Sequence, residues 1–234
     1  MVTQGGEVAF VTRMIDQSRD LQERCQWFTS MLGKGSSVEQ IIEKIKEAGV
    51  TNFAVTDLMP GHATKRWVVG WSWGSYRPSE AVARASSTLP KHLLPFPTEY
   101  KLAPWAATID TCAHTLNHLM QELEMQWRYK TELSEGVGFA KANVWSRAAR
   151  RKRGQASKTG ADDFEEDEPE EPALAVKISI RLPRKGAITA TVRWLQGRDS
   201  VLFESFCGML KRRLSEGSTQ VMASRVIIAA AGEL

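Results

Sequence analysis

Arg66-Trp67-Val68-Val69-Gly70-Trp71-Ser72-Trp73 is the stretch on which the fold of the first half turns. Trp67, Val69, Trp71 and Trp73 recur at period two and put four large side chains on one face, the mark of a strand with one buried side. Working back, 52–58 carries Phe53 and Val55 at the same spacing, with Pro60-Gly61 in the loop between. An antiparallel pair over 52–58 and 66–76 is the economical reading. Further upstream, Ser37 and Gln40 have capping-box spacing, and Val38, Ile41, Ile42 and Ile45 form a helical stripe that ends at Gly49. Before it, Val8, Val11, Met14, Ile15, Ser18, Leu21, Cys25, Phe28 and Leu32 recur at helical spacing. They predict one long helix over 7–32, with Gly33 as its stop.

Downstream, five of the nine prolines fall within 77–104. Proline removes amide donors and disfavours helix before it, so this stretch is expected to be an extended linker and a domain boundary. The second half, 105–215, reads as a helix over 106–125, strands over 127–133 and 138–148 about a Glu135-Gly136 turn, and strands over 174–182 and 187–195. A closing helix over 201–214 follows, then a tail, 216–234. The order is α-β-β-β-β-α, an α+β arrangement with both helices on one sheet face.

The chain has 234 residues, 42% hydrophobic and 25% charged, which is ordinary globular composition. No apolar run approaches the roughly 18 residues of a membrane helix, so no membrane partner is expected. Three widely spaced cysteines without a Cys-x-x-Cys speak against a disulfide scaffold and a cysteine-based zinc site. The net charge of +4 conceals a segregation: eight of the 27 acids lie between Asp162 and Glu171, with no base among them, and without them the balance is +12. The acidic stretch is expected to be a disordered insertion over 154–173. The basic remainder points to an anionic partner, nucleic acid or a lipid surface, of which nucleic acid is expected and a membrane is not.

No glycine-rich turn joins a strand to a helix, so no nucleotide or S-adenosylmethionine loop is encoded, and catalytic and cofactor-binding residues are expected to be absent from this chain. His114 and His118 share a helix face but no third ligand accompanies them, so they read as a solvated face and no metal site is expected. Cys207 reads as a core cysteine. The strongest local signal is Arg147, Arg150, Arg151, Lys152 and Arg153, five bases in seven residues after Val144-Trp145 at the end of an expected strand. Arginine forks suit phosphate oxygens, and a nearby Trp suits an unpaired base. The tract reads equally well as an RNA contact and as a nuclear-import signal. Arg181, Arg184, Lys185 and Arg193 form a second basic cluster on the other hairpin, and Lys211, Arg212 and Arg213 close the last helix, where cations favour the dipole.

Met1 to Val11, Arg13-Met14-Ile15, Trp27 to Lys34 and Arg66 to Trp73 resemble consecutive blocks of the methyltransferase-like protein 16 family, in order and correctly spaced over about the first third of the chain. The family comprises S-adenosylmethionine-dependent RNA adenine-N6 methyltransferases acting on U6 snRNA in the nucleus. The resemblance implies that 1–76 is the C-terminal portion of a Rossmann-like methyltransferase domain, contributing helices and an antiparallel strand pair. The α-β-β-β-β-α half is similar to the kinase-associated-1-like RNA-binding region of that family. In the family pattern the Rossmann core and the Asn-Pro-Pro-Phe motif precede the block resembling Thr3 to Phe10, and Met1 matches an internal methionine, so a start-truncated chain, inactive alone, is expected. By resemblance Arg66 lines an RNA groove with Lys65 beside it, and Gly5, Gly6 and Glu7 sit near the catalytic pocket. A second groove arginine of the family falls in His62-Ala63-Thr64, where this sequence has none. A noncatalytic module for structured RNA is the alternative reading.

Overall fold

The computed structural model describes residues 3–59, 64–103, 108–123, 125–149, 151, 171–182 and 188–231, with side chains as far as Ser215. Residues 154–170 of the expected acidic insertion and the Arg184-Lys185 turn lie outside the described residues. The chain divides into two units, 1–98 and 99–234.

The first unit contains α1 (Gly6–Leu21), β1 (Phe28–Leu32), α2 (Gly35–Glu47), β2 (Asn52–Leu58), β3 (Arg66–Ser72) and α3 (Glu80–Ala83). Its sheet has the order β1-β3-β2, antiparallel throughout, with Val55 opposite Val69. The expected 52–58/66–76 pair is therefore present, although β3 stops at Ser72. The expected single helix over 7–32 is not: α1 ends at Leu21, Gln22 takes φ 40°, and Phe28 to Leu32 form a strand against β3. Phe28 and Leu32 are four apart, a spacing that fits both a helical face and a strand face. Leu32 is fully buried and Met31 is 61% exposed, which reveals period two.

The Trp-bearing face of β3 is the core face. Val11 and Ile15 of α1 and Val38, Ile41, Ile42 and Ile45 of α2 pack with Phe53, Val55, Val69 and Trp71. Phe28 stacks on Trp71 with ring centroids 5.7 Å apart. Ser18 sits at the centre of this layer, 1% exposed. Its hydroxyl donates to the Ile15 carbonyl at 2.6 Å and accepts from the indole N–H of Trp71 at 3.1 Å and of Trp73 at 2.9 Å. One donor and two acceptor sites are the full capacity of a hydroxyl.

The proline-rich stretch is not an extended tether over its first part. Ala83 and Leu93 are buried, Val55 bridges Arg84 in parallel, and Ser86 N–H donates to the Val55 carbonyl, so 84–86 runs along the outer edge of β2. Asp57 fixes this segment. Its carboxylate accepts from the Ser86 hydroxyl at 2.6 Å, from the amide and hydroxyl of Ser87 at 2.9 and 3.1 Å, and from the amide and hydroxyl of Thr88 at 3.1 and 3.0 Å.

The second unit contains β4 (Glu99–Leu102), α4 (Ile109–Gln121), β5 (Gln126–Lys130), β6 (Glu135–Ala140), β7 (Leu174–Arg181), β8 (Thr189–Gln196) and α5 (Ser200–Ala231). Its antiparallel sheet has the order β4-β8-β7-β6-β5. The order α-β-β-β-β-α is present with one addition, the edge strand β4, which the sequence reading placed in the linker. Pro97 lies two residues before this strand and removes no amide from its ladder. Cys112, Leu116 and Met120 of α4 and Phe203, Phe206 and Leu210 of α5 are buried, as are Val176, Ile178, Val192 and Trp194 of the sheet. Trp194 stacks on Phe203 at 5.3 Å. Burial pushes the Cys207 thiol up to about 12, an inert core group.

The turn between β5 and β6 is 131–134, closed by Ser134 at φ 49°, not Glu135-Gly136. Gly136 and Gly138 lie inside β6 because the Trp127 ring, held by its N–H on Asn117 at 2.8 Å, lies over them, and a Cβ at Gly136 would collide with it. β6 ends at Ala140, so Val144-Trp145 closes a turn rather than a strand.

Candidate nucleic-acid interface

In the first unit the predicted residues gather at one end of the sheet. β1 ends at Leu32, in register with Trp67, so Gly33 and Lys34 leave the sheet where Lys65 and Arg66 enter it. The Met31 to Lys34 stretch, expected as a helix exit, is thus a strand end that leads into α2. Helices α1 and α2 both begin close to this stretch in contact: the Glu7 carboxylate in the first turn of α1 accepts the amides of Gly33 at 2.7 Å and Lys34 at 3.2 Å, and bonds the Ser37 hydroxyl. The expected local capping box is replaced by this cap from 26 residues away, and α2 starts at Gly35. Burial alone would raise the Glu7 carboxyl; the Ser37 hydroxyl and the two amides outweigh it and hold the group below its usual value.

Gly5 precedes α1 and Gly6 opens it, in a turn closed by the Gly6 amide on the Thr3 carbonyl at 2.9 Å. Both take positive φ, 81° and 70°, which glycine adopts at no steric cost. Arg66 donates to the Lys65 carbonyl at 3.0 Å. Lys34, Lys65 and Arg66 therefore lie at one sheet end, together with the Glu7 carboxylate from the first turn of α1. Lys34 is a member that the sequence reading did not single out. The signal was there in the Gly33-Lys34-Gly35 run, but only the strand end gives it a place.

In the second unit Arg147 and Arg151 are exposed, and Arg150, Lys152 and Arg153 lie outside the described residues. The Ser146 hydroxyl accepts from the Ala149 amide at 3.1 Å and opens a short helical turn. Trp145, expected to stack on a base, is not available: it is 4% exposed, donates to Ser205 at 3.0 Å and meets Phe206 edge-on at 5.0 Å. It anchors the tract instead of touching RNA. Arg213 ion-pairs with Glu122 and so ties α5 to α4. His118 lies 3.3 Å from Glu122, and among the described residues no group of three metal-ligating side chains exists. No described helix is long and apolar enough to cross a membrane.

A family profile described as RNA methyltransferase matches residues 1–75. The match covers about a third of the chain. The U6 small nuclear RNA (adenine-(43)-N(6))-methyltransferase of Schizosaccharomyces pombe is 31% identical over 220 residues, which is 92% of this chain and 52% of the relative. The RNA N(6)-adenosine-methyltransferase mettl16 of Danio rerio is 23% identical over 253 residues, 92% of this chain and 53% of the relative. A crystal structure of the N-terminal domain of human METTL16 in complex with SAH shares 36% identity over 31% of this chain and 28% of its own, with a TM-score of 0.29. The chain spans about half the length of these two curated relatives.

Proposed function

We propose that this chain belongs to the methyltransferase-10 family and is the RNA-gripping part of an S-adenosylmethionine-dependent RNA adenine-N6 methyltransferase that acts on U6 snRNA in the nucleus. The observation that carries the reading is the reach of the similarity to the fission-yeast enzyme, which runs through both units rather than stopping at residue 75. On this reading 1–76 belongs to the catalytic domain, and its cationic sheet end (Lys34, Lys65, Arg66) forms part of the groove for the RNA backbone. The Glu7 cap holds the Gly33–Lys34 corner rigid, so that Lys34 is presented in one position. The second unit, kinase-associated-1-like, clamps the RNA through the tract from Arg147 to Arg153.

The described residues do not fit the cofactor. The Glu7 carboxylate, the acid nearest the Gly5-Gly6 turn in sequence, is taken up by Gly33, Lys34 and Ser37. No methyl-transfer step is derived through these residues. The second reading is a noncatalytic structured-RNA-binding module.

Fluorescence anisotropy with a U6-type hairpin RNA tests the shared part of both. Binding is expected, with affinity falling steeply as salt rises. Reversing Arg147, Arg151 and Arg153 to Glu should weaken it by at least about tenfold. Unchanged affinity in that variant contradicts the clamp. Isothermal titration with S-adenosylmethionine then tests the cofactor statement, which measurable binding to this chain would overturn.

A further inference from the structure

Helices α4 and α5 both pack on one face of the second sheet, and no described element of this unit covers the other. Strand register decides what that open face carries. Val176, Ile178 and Ile180 of β7 point to the helices, so Lys177, Ser179 and Arg181 point away. In register with them stand Val137 and Glu135 on β6, Thr191 and Arg193 on β8, Arg128 and Lys130 on β5, and Glu99 and Lys101 on β4. Six bases (Lys101, Arg128, Lys130, Lys177, Arg181, Arg193) share the face with two acids. Phe139 stands among them, 39% exposed.

Edge strands often carry lysine to block pairing with other chains, which accounts for Lys101, Arg128 and Lys130 on β4 and β5. It does not account for Lys177 and Arg193, which lie on the inner strands β7 and β8 directly opposite each other. Like charges in register destabilise a sheet. Glu135 relieves part of the crowd, bonding Lys177 at 2.6 Å while also pairing with Arg181, and Glu99 stands opposite Arg193 on β4. Arg193 Nε is buried with no hydrogen-bond partner. A fold that tolerates such repulsion on its central strands has a use for positive charge there.

We infer that this open face is a second RNA-binding surface, which seats a single-stranded flank of the hairpin held by the Arg147 tract, with the bases neutralising its phosphates and Phe139 stacking on a nucleobase. The inference rests on the RNA-clamp reading above and names a separate surface for it. RNA fits better than an anionic membrane because Phe139 lies in the flat sheet, where it can stack on a base, rather than on a protruding loop that could enter a lipid layer.

The test uses the full chain and three probes: a hairpin RNA with a single-stranded 3′ flank, the same hairpin with a blunt end, and phosphatidylserine-containing vesicles. Lys101→Gln/Arg128→Gln, two exposed positions, should lower affinity for the flanked RNA about tenfold and reduce its log–log salt slope by about 1.4, the single-strand value for two phosphate contacts. Phe139→Leu, which keeps an apolar side chain but removes the ring, should weaken flanked RNA by about tenfold. Binding of the blunt hairpin should stay as in the wild type, and unchanged melting temperatures show that the variants fold. If both variants bind flanked RNA with wild-type affinity and slope, the inference is overturned and the clamp reading stands. If the wild type binds neither RNA, both fall. If the variants lose vesicle binding but keep RNA binding, the face serves lipid and the inference is overturned.

Discussion

Replacing Ser18 by Ala tests how the first unit is held together. The hydroxyl is the acceptor for both Trp71 and Trp73, and Trp71 is fully buried. Alanine leaves the Trp71 indole N–H unsatisfied in the core, at a cost of about 1–3 kcal/mol. Trp73 is only half-buried, so its N–H can reach water and adds less. Alanine recovers about 0.5 kcal/mol of helix propensity in α1. The net expectation is a loss of about 1.5–3 kcal/mol. Urea unfolding followed by tryptophan fluorescence reads this as a lower midpoint at unchanged slope. A double-mutant cycle with Trp71→Phe should show coupling, because the phenylalanine has no N–H to strand. A Ser18→Ala variant within about 0.5 kcal/mol of wild type, with no coupling, would refute the argument.

Three further outcomes follow from the same geometry. The depressed folded-state value of Glu7 gives stability that is fully present above the ordinary glutamate pKa of about 4.3 and is lost as pH falls through the lower folded value; Glu7→Gln should flatten the acid limb of a pH–stability profile, and an unchanged limb would remove this cap from the account. Asp57→Asn removes the charge that organises 86–88, so limited proteolysis should cut within 84–90 faster than in the wild type, with resistance unchanged if the clamp is unimportant. Gly136→Ala drives a Cβ into the Trp127 ring and should cost about 1–3 kcal/mol in thermal or chemical unfolding, whereas a neutral result would mean the ring can move aside.

Legibility from sequence followed the locality of the interactions. The β2–β3 pair, α2 and the two inner hairpin strands of the second sheet announce themselves through short-range period, and their boundaries differ from the structure by a few residues. Strand β1 was hidden because Phe28 and Leu32 extend the α1 stripe without a glycine or proline between, although Thr29 and Ser30 are weak helix formers. Strand β4 is hidden by the prolines around it in sequence, and the start of β6 by Gly136, which makes room for Trp127 and reads as part of a Glu135-Gly136 turn. The basic residues at the candidate site are visible in sequence; their grouping is not. Glu7 reaches Gly33 across 26 residues, and Lys34 joins Lys65 and Arg66 only through the β1–β3 register. Trp145 shows the reverse error, since an aromatic beside an arginine tract reads as a base platform until its burial under Phe206 is seen.

Ultraviolet cross-linking of the full chain to a U6-type hairpin RNA, with the linked peptides identified by mass spectrometry, tests the central claim most directly. The account predicts cross-links at Lys34, Lys65 or Arg66 in the first unit together with the tract from Arg147 to Arg153 in the second. Cross-links in the second unit alone would reduce the chain to a binding module. Their absence from both places would contradict the assignment as the RNA-gripping part of a methyltransferase.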